Sequence, residues 1–205
     1  HGPRQGNLAA VKLYFGGTPE EALQRYETGQ LDVLPLADLP AAERELVRRR
    51  HVGEYLSAPR LATIFLRLNF SQPPFADGNL RRALAHATDR VKLAGEALRG
   101  YDFPASGVLP AGLLGYAPDS GLSYAPAQAR QLLAACGYPQ GQGFPAITAW
   151  AWPGIAPVCR ALSSQWQEQL GIDVQWQYLE WPEFTRMGSK DLPDLFNLWF
   201  GDGLS

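Results

Sequence analysis

The chain has 205 residues, 46% of them apolar and 19% charged, which allows one or two domains with a genuine core and excludes a disordered polypeptide. A formal net charge of −2 gives no electrostatic reason for nucleic acid or an anionic membrane as partner. No run of roughly eighteen apolar residues is present to span a bilayer.

Residues 1–10 lack the apolar core of a signal peptide, so targeting is not legible, and both a piece of a longer precursor and a cytoplasmic chain stay open. With 21 glycines and 17 prolines the sequence is rich in turns without being low in complexity. In residues 8–15, Val11, Leu13 and Phe15 alternate with Lys12 and Tyr14, which predicts a strand. Thr18-Pro19-Glu20-Glu21 then forms a capping box with proline at the first helical position. That helix should carry Ala22, Leu23 and Tyr26 and stop at Gly29, with a short strand following over residues 31–34. A second helix over residues 38–51 opens near Pro40 and closes on Val47, Arg48, Arg49, Arg50 and His51, basic groups that complement a helix C-terminus. Residues 53–60 have turn composition and read as a connection between two parts.

The central stretch is the most ordered in pattern. Ile64, Leu66, Leu68 and Phe70 alternate with Phe65, Arg67 and Asn69 as in a strand, and Pro73 and Pro74 end any ladder. Asp77 is placed to cap a helix whose inward stripe reads Leu80, Leu84, Ala87, Val91, Ala94, Leu98. Thr88 and Asp89 break that stripe, so two helices should meet there, with Gly100 as the stop. Residues 101–124 read as a long loop. Pro126 opens a helix with Ala129, Leu132, Leu133 and Cys136 on one face. Residues 147–150 form a strand. Ile155, Val158, Leu162, Trp166 and Leu170 line a helix ended by Gly171, and residues 173–180 alternate as another strand. Two strands joined by such a helix should be parallel neighbours. Pro182 starts a short helix through Phe184 and Met187, and residues 194–200 are apolar enough for a buried strand, with Asp202 and Gly203 just beyond it.

A spaced pattern over the central stretch carries a resemblance: Asn69, Pro73-Pro74-Phe75, Asp77, Arg81-Arg82, Ala83-Leu84, Asp89-Arg90 and Gly100. It resembles the extracytoplasmic solute-binding proteins of ABC importers, in the family 5 group that contains the oligopeptide-, dipeptide- and nickel-binding proteins. Gly29-Gln30-Leu31-Asp32 and the run from Tyr124-Ala125-Pro126 through Leu132-Leu133 to Cys136-Gly137-Tyr138 resemble the same family. Two departures are Ala125, where an aspartate cap is common, and Cys136 in place of alanine. The resemblance implies an α/β fold, a periplasmic-binding-protein-like lobe with a mixed sheet and flanking helices plus a partial first lobe. Residues 1–57 would be the first-lobe segment and residues 58–205 the second lobe. It further implies capture of a small solute, a peptide before others, between two lobes, delivery to ABC permease subunits and an extracytoplasmic location, with no cofactor. Half of such a cleft would be missing, so the chain alone should bind weakly or not at all. Peptides, sugars, nickel chelates and opines all stay open as ligands.

For chemistry, His1, His51 and His86 are too scattered for a metal pattern, and no Gly-x-Ser-x-Gly elbow, Cys-x-x-Cys pair or phosphate loop occurs. Gly141-Gln142-Gly143 reads as a turn, and Asn69-Phe70-Ser71 as a chance glycosylation triplet. Cys136 and Cys159 read as two small buried residues in helices, with a disulfide as the alternative. No catalytic residue is assigned. Trp150, Trp152, Trp176, Trp181 and Trp199 lie in or beside predicted strand ends, where a ring with one wet edge serves a ligand or, equally, a core. The ligand-binding candidates are Trp150 and Trp152, together with three whose role the resemblance implies. Trp199 and Asp202 match a Trp-x-x-Asp that holds a peptide's terminal ammonium group, and Asn69 marks the strand end, where it also suits a turn. Two rival readings are a hydrolase or transferase with a dispersed acid pair, Asp89 and Glu96, and an interaction module using its tryptophan-rich surface.

Overall fold

The computed structural model describes residues 7–36, 39, 41–56, 61–97, 102–180, 182–183 and 193–201. The chain divides into two compact units, residues 1–59 and 60–205. In the first unit, α1 (Pro19–Glu27) starts on the capping box: the Glu21 N–H donates to Thr18 Oγ1 at 3.2 Å, and the Thr18 N–H to Glu21 Oε2 at 3.0 Å. The helix ends at a Thr28 cap, followed by Gly29 at φ +70°. The basic end of α2 (Ala41–Arg50) is ion-paired within the unit. Arg48 and Arg49 meet Glu45 at 2.9 and 2.8 Å, and Arg50 reaches across to Glu27 of α1 at 2.7 Å. The Arg50 guanidinium, with His51 behind it, holds the Glu27 carboxyl below its ordinary range. Asp38 and Pro40, expected at the start of α2, lie outside the described residues.

Two expected strands are not strands. Residues 8–15 and 31–34 form no ladder among the described residues, and Phe15 is 89% exposed. Alternation states which side a sheet neighbour would cover, but the ladder itself needs that neighbour, and a lone extended segment is not stable. The strand-helix-strand unit expected around α1 is therefore only a helix between two extended segments.

The second unit is built on a four-stranded mixed sheet of order β1-β4-β2-β3. β1 (Ala62–Leu68) pairs antiparallel with β4 (Leu195–Gly201), which runs parallel to β2 (Ile147–Ala151), and β2 runs parallel to β3 (Val174–Tyr178). The parallel β2–β3 pair joined by α6 (Ala156–Leu170) is the arrangement that the spacing of strands and helix requires. Thr148 fixes the start of β2 to that of β4, its N–H and hydroxyl both donating to Asp194 Oδ2, at 2.8 and 2.9 Å.

The core lies on one side of this sheet. Ile147 and Ala149 enter a cluster with Leu80, Leu84, Leu133, Trp166 and Leu170, contributed by α3 (Gly78–His86), α5 (Pro126–Ala135) and α6. Leu66 and Leu68 of β1 pack against it, whereas Ile64 and Phe70 of the same expected face do not and are 48% and 62% exposed. Phe75, in the turn after the cis Pro73–Pro74 bond, is fully buried.

Asp77 Oδ1 accepts the Asn79 N–H at 2.7 Å and caps α3, while Asp89 Oδ1 accepts the Lys92 N–H at 2.9 Å and caps α4 (Arg90–Lys92). The helices meet near Asp89 as expected. After one turn the backbone widens into a π-helical turn over Leu93–Ala97. Each such insertion rotates the following residues about the axis. Leu93 packs on the core, and Val91, expected in the buried stripe, lies before that turn in α4 and is instead 71% exposed. Leu98 and Gly100 lie outside the described residues.

Residues 102–125 contain no helix or strand, in keeping with their glycine and proline content. Ala125 makes no side-chain cap for α5, but its N–H donates to the His86 carbonyl at the end of α3, 2.8 Å away, so the two helix ends are tied through the main chain. Cys136 is the half-buried C-cap of α5, near the Asp77 carboxylate, and Cys159 is buried in α6; neither forms a disulfide. Burial, with Asp77 adding to it, pushes the Cys136 thiol up to about 11, and burial pushes Cys159 up to about 12. At pH 7.5 fewer than about one molecule in a thousand then carries either thiolate, the nucleophilic form. Iodoacetamide should leave both thiols unmodified in the folded chain and alkylate both in urea, with mass spectrometry as the readout. Fast labelling of Cys159 in the folded chain would contradict its burial.

Candidate functional site

Because β4, β2 and β3 are parallel, their carboxyl ends lie along one edge of the sheet, and antiparallel β1 brings its amino end there, Ala62 facing Gly201. In open α/β sheets this is the edge outside which ligands bind. The register gives it a step. The β2–β4 ladder ends at the Trp150–Phe196 pair, whereas the β1–β4 ladder continues to Gly201. With Ala151, the last residue of β2, level with Asn197, residues 198–201 overhang β2 by roughly 13 Å at about 3.3 Å per residue. Among the described residues, their edge on the β2 side has no ladder partner.

Aromatic side chains border that step. Trp150 is in β2, on the side opposite the buried Ile147, Ala149 and Ala151, and its indole Nε1–H donates to Gln177 Oε1 at 3.0 Å. Trp152, one residue past β2, is 53% exposed and precedes a 3₁₀ turn, Pro153–Ile155. Tyr178 ends β3 opposite Ala151 and is 38% exposed; partial burial pushes its phenol up, with Arg160 acting against the shift. The Leu179 N–H donates to the Ala151 carbonyl at 3.0 Å and closes the base of the step.

Trp199 stands in the overhang of β4, across from Ile64 of β1. Asp202 lies outside the described residues. Asn69 does not join them: its N–H donates to the Asp194 carbonyl at 2.9 Å, at the opposite end of β4, and its Oδ1 accepts the Ser71 N–H at 3.3 Å. The structure therefore brings Trp150, Trp152 and the Trp199 position to one edge and leaves Asn69 shaping a turn at the other. Trp176 is a core residue, its indole donating to Ser163 at 2.7 Å and packing against Ala151, Ile155 and Cys159. Trp181 lies outside the described residues. Two residues of this edge escape sequence reading. Tyr178 reads as a buried strand position because alternation does not show where a strand ends, and no pattern in the sequence singles out Gly154.

The two acids of the rival hydrolase reading have separate surroundings, a helix cap and a small cleft. Asp89 is occupied as a helix cap, its backbone paired in both directions with the Gln165 amide at 2.8 and 3.3 Å. Glu96 lines a cleft of about 90 Å³ with Lys92, Ala161, Ser164, Gln165 and Glu168. That volume is well below the ~300 Å³ at which small-molecule sites begin. Among the described residues no group of three or more His, Cys, Asp or Glu is placed to hold a metal ion. Asp89→Ala should cost about 1 kcal/mol of stability through the lost cap and lower Tm by roughly 2–4 °C. Asp89→Asn, which keeps a capping oxygen, should stay within about half of that. An equal loss in both variants would mean that the charge, not the cap, matters.

A mixed sheet with helices packed on one face, carrying aromatic side chains at its carboxyl edge, is an α/β arrangement of the periplasmic-binding-protein type. The chain belongs to the bacterial extracellular solute-binding proteins, family 5: residues 2–205 match the sequence model of that family's middle region. It is similar to the glutathione-binding protein GsiB of Escherichia coli K12, 29% identical over 139 residues, which cover 67% of this chain and 27% of GsiB. Among solved structures it resembles the murein tripeptide-binding protein MppA of Escherichia coli, with a TM-score of 0.74 and 25% identity over 88% of this chain and 36% of MppA. It also resembles a periplasmic oligopeptide-binding protein, OppAIV, of Borrelia burgdorferi, with a TM-score of 0.73 and 25% identity over 89% of this chain and 36% of that protein. The chain thus spans between about a quarter and somewhat over a third of the length of these relatives. They are binding proteins rather than enzymes.

Proposed function

We propose that the chain acts in the substrate-binding component of an ABC-type importer, which captures a peptide between two lobes outside the cytoplasm and delivers it to the permease. In this reading residues 1–57 belong to a first lobe and residues 58–205 to a second. One observation carries the peptide over other solutes: the stretch of β4 that overhangs β2. An extended peptide laid along it would gain main-chain hydrogen bonds independent of its sequence, the mode of strand addition, while Trp152 and Tyr178 offer apolar surface to its side chains. Trp199 belongs to the same strand and Asp202 follows its last residue in the sequence, and in this reading the Asp202 carboxylate would meet the peptide's ammonium group. The names of the relatives point the same way, since glutathione, a murein tripeptide and oligopeptides are all peptides or peptide-like.

Binding by this chain is expected to be weak, because one lobe supplies only part of the contact area. The test is an NMR titration of the chain with millimolar Ala-Ala-Ala, and separately with glucose and with a nickel–histidine chelate. The peptide should shift the indole N–H signals of Trp150 and Trp152 and the amides of residues 198–201. Shifts confined to other regions, or caused by the sugar or the chelate instead, would overturn the reading.

A further inference from the structure

We infer that Gly154 sets the pose of Trp152 and so makes one subsite of the carboxyl edge selective for an aromatic or branched apolar side chain of the solute. The inference rests on the peptide-binding reading above. A Cβ built on Gly154 would overlap the six-membered ring of the Trp152 indole, meeting Cη2 and Cζ3 and standing 2.8 Å from Cε3. Carbon atoms of that kind do not approach so closely without displacing something, so the indole lies against the Gly154 backbone only because no side chain is there. The turn beneath it is firm: the Ile155 N–H donates to the Trp152 carbonyl at 3.1 Å, and the Ile155 side chain is buried.

One side of the indole is thereby backed by main chain, while the residue as a whole stays 53% exposed at the end of β2. A ring held this way loses little freedom when a ligand covers its outer side, the condition under which an apolar contact contributes most to affinity. Aromatic rings gain further from offset or edge-to-face packing on the indole. Gly154 does not hold a positive φ, so alanine fits its backbone and the strain of the added methyl group falls on the movable indole.

The test uses Gly154→Ala and Trp152→Leu, with tripeptides carrying one Phe at each position in turn and Ala-Ala-Ala as reference, titrated by NMR. Wild type should bind one of the Phe peptides about three- to tenfold tighter than Ala-Ala-Ala. Both variants should lose that preference, read in each as the ratio of its own affinities for the Phe peptide and Ala-Ala-Ala, and Gly154→Ala should move the Trp152 indole signals with an unchanged Tm. A preference kept in Gly154→Ala, or in Trp152→Leu, overturns the inference and leaves the peptide reading standing. Equal binding of all four peptides by wild type does the same. No binding of any tripeptide by wild type removes both.

Discussion

Trp166→Ala should destabilise the second unit by about 3–5 kcal/mol, the largest effect expected of any single substitution described here. Trp166 is 3% exposed in the cluster that α3, α5 and α6 form over the sheet. Its indole Nε1–H donates to Thr88 Oγ1 at 3.0 Å, and Thr88 in turn donates to the Leu84 carbonyl at 2.7 Å, across the break between α3 and α4. Truncation removes the ring, leaves a cavity bounded by three helices, and takes the donor from the half-buried Thr88 hydroxyl. Ordinary domains are stable by roughly 5–15 kcal/mol, so the loss would consume much of the total. Trp166→Phe separates the contributions: it retains most of the volume and loses the hydrogen bond, at a cost of about 1–3 kcal/mol. Urea unfolding followed by far-UV circular dichroism reads both. Equal midpoints for the two variants would show that packing around Trp166 is not what holds α6 to the sheet.

The second large effect concerns affinity. If Asp202 meets the peptide's ammonium group, Asp202→Asn should weaken binding of a peptide with a free amino terminus by about 1.5–3 kcal/mol, roughly ten- to hundredfold, the range for a charge-assisted hydrogen bond. The same peptide with an acetylated amino terminus should bind wild type and variant alike, since it carries no charge for the carboxylate to meet. NMR titration with free and acetylated Ala-Phe-Ala makes the comparison within one chain. An equal loss for both peptides would assign Asp202 to the architecture of the strand end instead of to recognition.

Local chemistry was readable from the sequence wherever both partners lie within one turn of chain. The Thr18–Glu21 box, the Asp77 and Asp89 caps and the Gly171 stop are of that kind, and all are present. The parallel pairing of β2 and β3 was readable too, because a helix of α6's length between two strands leaves few alternatives. Other expectations failed where the deciding partner is remote or a helix starts afresh. Val91 left the buried stripe at the start of α4, which begins anew at the Asp89 cap, so the phase of α3 does not carry across. At Ala125, which offers no capping side chain, the main-chain N–H is held by the His86 carbonyl, distant in sequence. Asn69 and Trp199 looked like companions at strand ends, but only the antiparallel register of β1 with β4 shows that they occupy opposite edges. Trp176 and Trp152 carry the same sequence signal, an aromatic residue in or beside a strand, and are divided by which lies inside the ladder and which just beyond it.

The stretch of β4 beyond β2 also bears on how such a chain behaves in the cell. A bare row of amides and carbonyls is adhesive toward any polypeptide, including a second copy, and proteins commonly shield such rims with charge, proline or a covering loop. Among the described residues this rim has no ladder partner, at the place where the proposed peptide would lie. If the proposal holds, the peptide would serve as a chaperone as well as a passenger, since while seated it would keep two such rims from zipping together.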